Sequence, residues 1–316
     1  MSSEFTGAYL LRRIGQGVGV LVATFTLTFL LLQVMPGDSV TIRFENPELG
    51  LSPEEIAQLR EAYGADQGVI SQFFSTLTAF ARGDFGYSFS LGTPVKDLLA
   101  HALPDTLRLA GLAFGAALVL AGVIAVLSST TSFGWLRHWV ASLPSLFVAI
   151  PVFWLGIMLV QIFSFQLGWI PIINPSPTQG LILPVATLAV PIAAPIAQVF
   201  IRSMQEVLQA PFITVVRAKG ASQSWVLWRN VMRNALLPTL TMAGVLFGEL
   251  IGGAVVTETI FGRNGIGRIA QQAVHDQDTM VLQAIVVLTA ASFVVLTLIV
   301  DVLYPLLDPR LRRARS

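Results

Sequence analysis

Cysteine is absent from the 316 residues, which excludes disulfides, thiolate metal sites and cysteine nucleophiles. Charge is scarce: 12% of the residues are Asp, Glu, Lys or Arg, against 54% hydrophobic. A soluble domain is roughly a quarter charged, so something other than water solvates this chain. A net charge of +1 leaves no basic surplus for general nucleic-acid binding. Lysine is nearly missing. Lys96 precedes Asp97 and Lys219 precedes Gly220, so neither fits the GxxxxGKS or GxxxxGKT loop that cradles ATP phosphates. The three histidines, His101, His138 and His275, are widely separated, and no HExxH occurs. His275 lies near Asp276 and Asp278, a cluster that a polar turn explains. There is no GxSxG nucleophile elbow. No catalytic, cofactor or metal site is expected in this chain.

Long apolar runs are abundant. Ile14 to Met35 is 22 residues without a charge, about 33 Å as a helix against a hydrocarbon core of about 30 Å. Arg12 and Arg13 precede it and Pro36-Gly37-Asp38 follow, with no small-x-small cleavage site, so it is expected to be a retained anchor. Thr106–Ser129, Val140–Leu167, Leu181–Ile201, Leu237–Phe261 and Met280–Leu307 bring the expected spans to six. The class is an all-α polytopic membrane protein. Pro144, Pro151, Pro184, Pro191 and Pro195 fall in the third and fourth spans, where neighbouring helices or water must satisfy the freed backbone groups.

Orientation follows from basic residues. With the N-terminus inside, twelve fall on inner segments and seven outside; five of the seven lie between Asp38 and Arg108, in and just after one extended segment, where the rule has little force. Both termini are expected in the cytoplasm. The extended outer segment, roughly 36 to 105, is acidic. In "LSPEEIAQLREAYG", Ser52 can cap, Pro53 suits the first turn and Glu55 completes a capping box. Ile56, Leu59 and Tyr63 then form one stripe before Gly64, and Thr93-Pro94 repeats the start signal. A small folded external subdomain is expected. It can be a rigid cover for the bundle or a docking ledge for an external partner.

"ITVVRAKGASQSWVLWRNVMRNALLP", residues 213 to 238, holds four of the nineteen basic residues between two apolar runs. Pro211 can start a short helix that ends at Gly220, where glycine permits a sharp turn. Ser222 can cap a second helix with Trp225, Trp228, Val231, Met232 and Ala235 largely on one side. Arg229 and Arg233 share another face. The expected structure is a cytoplasmic helical hairpin that either lies on the membrane surface or fits a partner's groove. Within the next span, Glu249 is costly at mid-bilayer unless paired, hydrated or neutral. It is expected to face a polar cavity or an adjoining subunit, with a structural hydrogen bond as the other reading. Gly252 beside it permits close helix contact. Glu258 and Asp301 lie nearer span ends, where snorkelling or end-pairing suffices.

The segment "RAKG…RNALLP" resembles the EAA loop of ATP-binding-cassette importer permeases. "VMPGDS", "LSPEEIAQLREAYGAD", "GDFGYSFSLGTPV", "LPDTLRLA", "PVFWLGIMLV", "LGWIP", "ETIFGRNGIG" and "DVLYPLLDPRLR" are similar, in the same order, to signatures of the dipeptide/oligopeptide branch. The departures are Thr214-Val215-Val216 where that loop has Glu-Ala-Ala, PGDS for PGDP, and Gly64-Ala65-Asp66 for GLD. The resemblance implies the type I importer permease fold, with an anchor (1–35), an external helical subdomain (36–103), a permease core (104–308, coupling hairpin 206–238) and a basic tail (309–316). It implies a multi-pass inner-membrane subunit of an ATP-driven peptide importer, forming half of the translocation path. The implied partners are a homologous second permease, two ATPase domains that bind ATP and Mg, and an extracytoplasmic solute-binding protein. Arg217, Ala218, Lys219, Gly220, Ala221 and Ser222 would grip the ATPase; Glu249, Gly252 and Glu258 would line the path or a subunit interface. The rivals are the same architecture importing nickel or glutathione, and a stand-alone secondary transporter.

Overall fold

The computed structural model describes residues 2–34, 52, 54 and 68–307. The capping box and stripe expected over 53–64 lie almost wholly outside the described residues, as do the tail 309–316 and the side chain of Asp301. Among the described residues the architecture is helical, and strand pairing is limited to one isolated bridge, Tyr87 to Pro94. The helices are α1 (Ser2–Val34), α2 (Val69–Ala81), α3 (Val95–Thr130), α4 (Gly134–Ala149), α5 (Val152–Leu159), α6 (Gln179–Leu208), α7 (Pro211–Ala218), α8 (Met232–Ile260), α9 (Ile266–His275) and α10 (Thr279–Leu307). A single turn, Gln223–Trp225, and a π-helical turn, Val226–Val231, lead into α8, and a second π-helical turn, Val160–Gln166, extends α5. Among the described residues five helices are long and apolar enough to cross a membrane, or six if α4 and the helix after it count as one bent span.

The chain divides into two compact units, residues 1–106 with 262–294 and residues 107–261 with 295–316. In the first unit, rings join α1 to α2. Phe25 and Phe29 of α1 are buried, and Phe73 meets both edge-on at 5.7 and 5.3 Å. Phe80 continues the cluster to Phe25 at 5.3 Å and to Phe85 at 5.1 Å. Each such pair contributes about 1 kcal/mol beyond its buried area. At Gly17 of α1 an added Cβ would stand 2.6 Å from Val294 Cγ1, so only glycine lets α1 and α10 approach this closely.

The loop from Gly83 to Pro94 is held by one carboxylate. Asp278 is fully buried; its Oδ2 accepts from Ser88 Oγ at 2.6 Å, Ser90 N at 3.1 Å and Ser90 Oγ at 3.2 Å. Its Oδ1 accepts from Val281 N at 3.3 Å, capping the start of α10. A buried charge with several donors is satisfied; one stripped of them is not. The polar turn expected near His275 therefore has a job: it closes the loop from Gly83 to Pro94 onto a helix N-terminus. Thr106 acts similarly, its buried Oγ1 accepting from Ile266 N at 2.9 Å where α9 begins.

The second unit is built on α6, whose buried side chains pack beside α4, α5 and α8. It accommodates Pro184, Pro191 and Pro195 without breaking. Gly156 of α5 sits against Thr187 of α6 and Ile260 of α8, at 3.3 and 3.4 Å from where a Cβ would be. The expected single span Val140–Leu167 is instead two helices bent by 105°. Pro151 explains the break: it has no N–H to donate, and it disfavours helical geometry at the residue before it. Ile150 is extended there, with φ −86° and ψ 119°. α3 runs 36 residues as one helix through Pro104, about 54 Å at 1.5 Å per residue, so it continues well beyond the expected Thr106 start.

Asp278→Ala should lower the stability of the detergent-solubilised subunit by about 3 kcal/mol, since it removes the acceptor of four donors, two of them in buried bonds. Asp276→Ala, at a half-buried carboxylate bonded to Gln272 Nε2 at 2.9 Å, should change it little. Thermal midpoints of the two variants measured side by side test this; equal midpoints would remove the structural role assigned to Asp278.

Candidate functional site: the hairpin between α6 and α8

The hairpin expected from Pro211, Gly220 and Ser222 is present. Pro211 occupies the first turn of α7, where its missing N–H costs nothing. The helix ends in a Schellman motif: Gly220 N donates to Arg217 O at 2.9 Å and Ala221 N to Val216 O at 3.4 Å. Gly220 has φ +86°, and nothing lies within 4 Å of a Cβ built there. Its requirement is conformational, not spatial. Ser222 Oγ then accepts from Trp225 N at 3.3 Å, capping the returning helix as its position implied.

The hairpin is rooted in the second unit's core. Ile213, Val226, Leu227, Val231 and Ala235 are buried in the cluster that includes Phe200 and Met204, with Val216 and Ala221 packed against it. Of the six candidate residues, Arg217, Ala218, Lys219, Gly220 and Ser222 are exposed and contiguous on the turn. Ala221 faces the core instead, forming the apolar contact that accompanies a Schellman turn. A fixed conformation presents two cations, a hydroxyl and bare backbone on a convex tip.

The tryptophans depart from expectation. Trp225 and Trp228 are 47% and 61% exposed, while Val231 and Ala235 are fully buried, so the four do not share a side. The π-helical turn Val226–Val231 is the cause. Its wider winding shifts the helix phase by about one residue, and a 3.6-residue projection carried through it misassigns the face. Sequence periodicity gives no signal of that insertion.

The three acidic or small candidates in α8 fall apart into two places. Glu249 and Gly252 are exposed on the surface of this chain, and a Cβ on Gly252 would meet nothing within 4 Å. Glu258 is fully buried and not without a partner. Snorkelling to water does not describe it; it is an interior group of a helix that also buries Thr257. His101 and His138 each turn Nδ1 to a carbonyl of their own helix, Asp97 O and Gly134 O, both at 2.7 Å. No group of three or more metal-ligating side chains converges among the described residues.

Two family models cover nearly the whole chain. The binding-protein-dependent transport system inner membrane component matches residues 117–313, and the N-terminal model of the same system's membrane component matches 7–110. A Brucella abortus (strain 2308) protein named as a peptide transport system permease is 36% identical over 96% of this chain and 99% of its own length. The glutathione transport system permease protein of Escherichia coli (strain K12) is 34% identical over 96% and 98%. Among solved structures, an inward-facing methionine ABC transporter matches with a TM-score of 0.57 at 20% identity, covering 67% of this chain and 96% of that one. An amino acid ABC transporter matches with a TM-score of 0.52 at 20% identity, covering 68% and 94%. At that identity the likeness is one of fold. A multi-pass chain, helical over its described residues and matched over residues 7–110 and 117–313 by these models, belongs to the family of binding-protein-dependent transport system inner membrane components, as a permease subunit.

Proposed function

We propose that this permease imports peptides, taking its energy from separate ATPase subunits through the hairpin 206–238. The carrying observation is the Schellman turn at Gly220: a tip with fixed geometry, exposed to a partner and packed at its root against the bundle. A rigid lever of this kind transmits displacement, whereas a flexible loop absorbs it. Arg217, Ala218, Lys219, Gly220 and Ser222 are the gripping surface, and Ala221 seats it. ATP-driven closure of two ATPase domains draws the hairpins together and turns the cavity outward; hydrolysis resets it. The coupling requires the grip to persist while the bundle exchanges two arrangements, so that the energy of ATP binding is differential between them.

In this reading the chain has six spans, α4 and α5 forming one bent span, with both termini cytoplasmic. Its divisions are an anchor (1–35), an outer helical subdomain (36–103), a core (104–308) and a basic tail (309–316). It pairs with a homologous permease, and Glu249 with Gly252 lies on the face turned to the translocation path or that partner. Glu258 belongs to the packing of this face from inside the helix. A solute-binding protein delivers cargo from outside; ATP and Mg are held by the ATPase subunits alone. Peptide is favoured as cargo by relatives named as peptide permeases at 34 to 36% identity over nearly the full chain. Glutathione, the cargo in the name of an equally full-length relative, is the second reading.

Gly220→Pro should leave the subunit inserted and abolish ATP-driven uptake, because proline cannot adopt φ +86°. Gly220→Ala should reduce coupled uptake less, at a conformational cost of about 1 kcal/mol. Wild-type uptake by Gly220→Pro in reconstituted vesicles would remove the lever. Cargo is read by competition: labelled di- and oligopeptide uptake should disappear when this chain is deleted. Loss of glutathione uptake alone, with peptide uptake unchanged, would assign the second reading.

A further inference from the structure

The chain from Asp105 to Glu249 is singular in its charge. Between those two carboxylates lie seven cations and one acid, Glu206. Glu206 is already bound to Arg202 at 3.1 Å. Arg229 and Arg233 are exposed, four residues apart, and no ion pair engages either among the described residues. This stretch has no internal means of neutralising them.

The π-helical turn sets two tryptophans beside these cations. Trp225, Trp228 and Arg229 lie within five residues at this turn, and all are exposed. Further up the helix Leu236 and Leu240, four residues apart on one face of α8, are exposed. The order is indole and guanidinium first, hydrocarbon next. From Trp228 to Leu236 is about 12 Å of helix rise, which carries the surface through a headgroup layer into the acyl region. A protein groove seated on Trp225 and Trp228 would have to end within that rise. A lipid leaflet does not end there, because its chemistry changes along the normal in the same sequence: phosphate, ester, chain. The pattern recurs at the start of α4, where Trp135 and Trp139 are exposed around Arg137 and His138.

We propose that Trp225, Trp228, Arg229 and Arg233 form a collar that binds anionic phospholipid headgroups of the cytoplasmic leaflet. The assignment of leaflet rests on the orientation given above; the lipid binding itself does not. The guanidinium groups take the phosphates, and the indoles lie at the ester level with their N–H groups turned to oxygen acceptors. Because the collar begins three residues after Ser222, it holds the base of the hairpin against the leaflet while the tip remains free for the ATPase.

The full chain in phosphatidylcholine vesicles, with brominated phosphatidylglycerol or brominated phosphatidylcholine at equal mole fraction, tests this. The Trp225 and Trp228 signal is the fluorescence lost in W225F/W228F. Brominated phosphatidylglycerol should quench it about twofold more than brominated phosphatidylcholine. R229Q/R233Q should bring the two to parity, and R229K/R233K, which keeps the charge, should retain the preference. Equal quenching in the wild-type chain, or a preference unchanged in R229Q/R233Q, overturns the proposal. Loss of the preference in both arginine variants together points to unfolding rather than charge and is also counted against it. Protection of both tryptophans from either lipid in the complex assembled with its ATPase subunits gives the surface to the ATPase and overturns it. The measurement on the chain alone needs neither ATPase nor peptide, so failure of the importer reading leaves its result standing.

Discussion

Hydrocarbon offers a peptide group no hydrogen-bond partner, and most of this molecule is arranged around that constraint. Buried hydroxyls close on carbonyls of their own helix: Thr187 on Leu183 O at 2.8 Å, Thr239 on Ala235 O at 2.7 Å and Ser128 on Ala125 O at 2.8 Å. Where the helical ladder is interrupted, the interruption is local and mended. At Ile150 the backbone N–H still reaches Phe147 O, and Pro151 has no N–H to satisfy. At Gly220 the Schellman bonds use the carbonyls that the end of α7 would otherwise orphan. The rare buried charge obeys the same rule, for Asp278 is surrounded by donors.

Rigidity at the hairpin follows from two independent sources. Local chemistry sets the turn through Pro211, Gly220 and Ser222, each at the position where its backbone preference is useful. The unit's core then fixes the direction, through Ile213 and Val231 within and Val216 and Ala221 beside them. Neither source alone fixes both the turn and its direction. A well-formed turn on an unpacked stem would swing, and a packed stem with a disfavoured turn would fray.

Much of this was legible in residue order. The helical class, the Pro-Gly-Ser punctuation of the hairpin and the exposed Arg217 to Gly220 tip all follow from short-range rules. The Thr93-Pro94 start of α3 is equally local, and its helix begins at Val95. What was not legible is instructive. The exposed Trp225 and Trp228 depend on a π-helical turn, whose single extra residue rotates everything before it relative to everything after. At Pro151 the span expected to be continuous bends by 105°, yet three prolines in α6 produce no break. The difference lies in support. α6 is enclosed by α4, α5 and α8, which hold it to a helical course, whereas the residue before Pro151 is released into extended geometry.

Composition and pattern alone determined the solvent, the helical class, the absence of a phosphate loop and those helix ends that a local signal marks, at Thr93-Pro94, Pro211, Gly220 and Ser222. These are properties of neighbours within a few residues, and hydrophobic periodicity or a cap records them directly. Tertiary structure decided which polar groups become interior, as with Glu258 and Asp278, and which remain outside, as with Glu249. It also joined Ser88 and Ser90 to a carboxylate 188 to 190 residues away. Burial and long-range pairing depend on what another segment places opposite a residue. That information is spread over the whole chain and appears only when the segments meet.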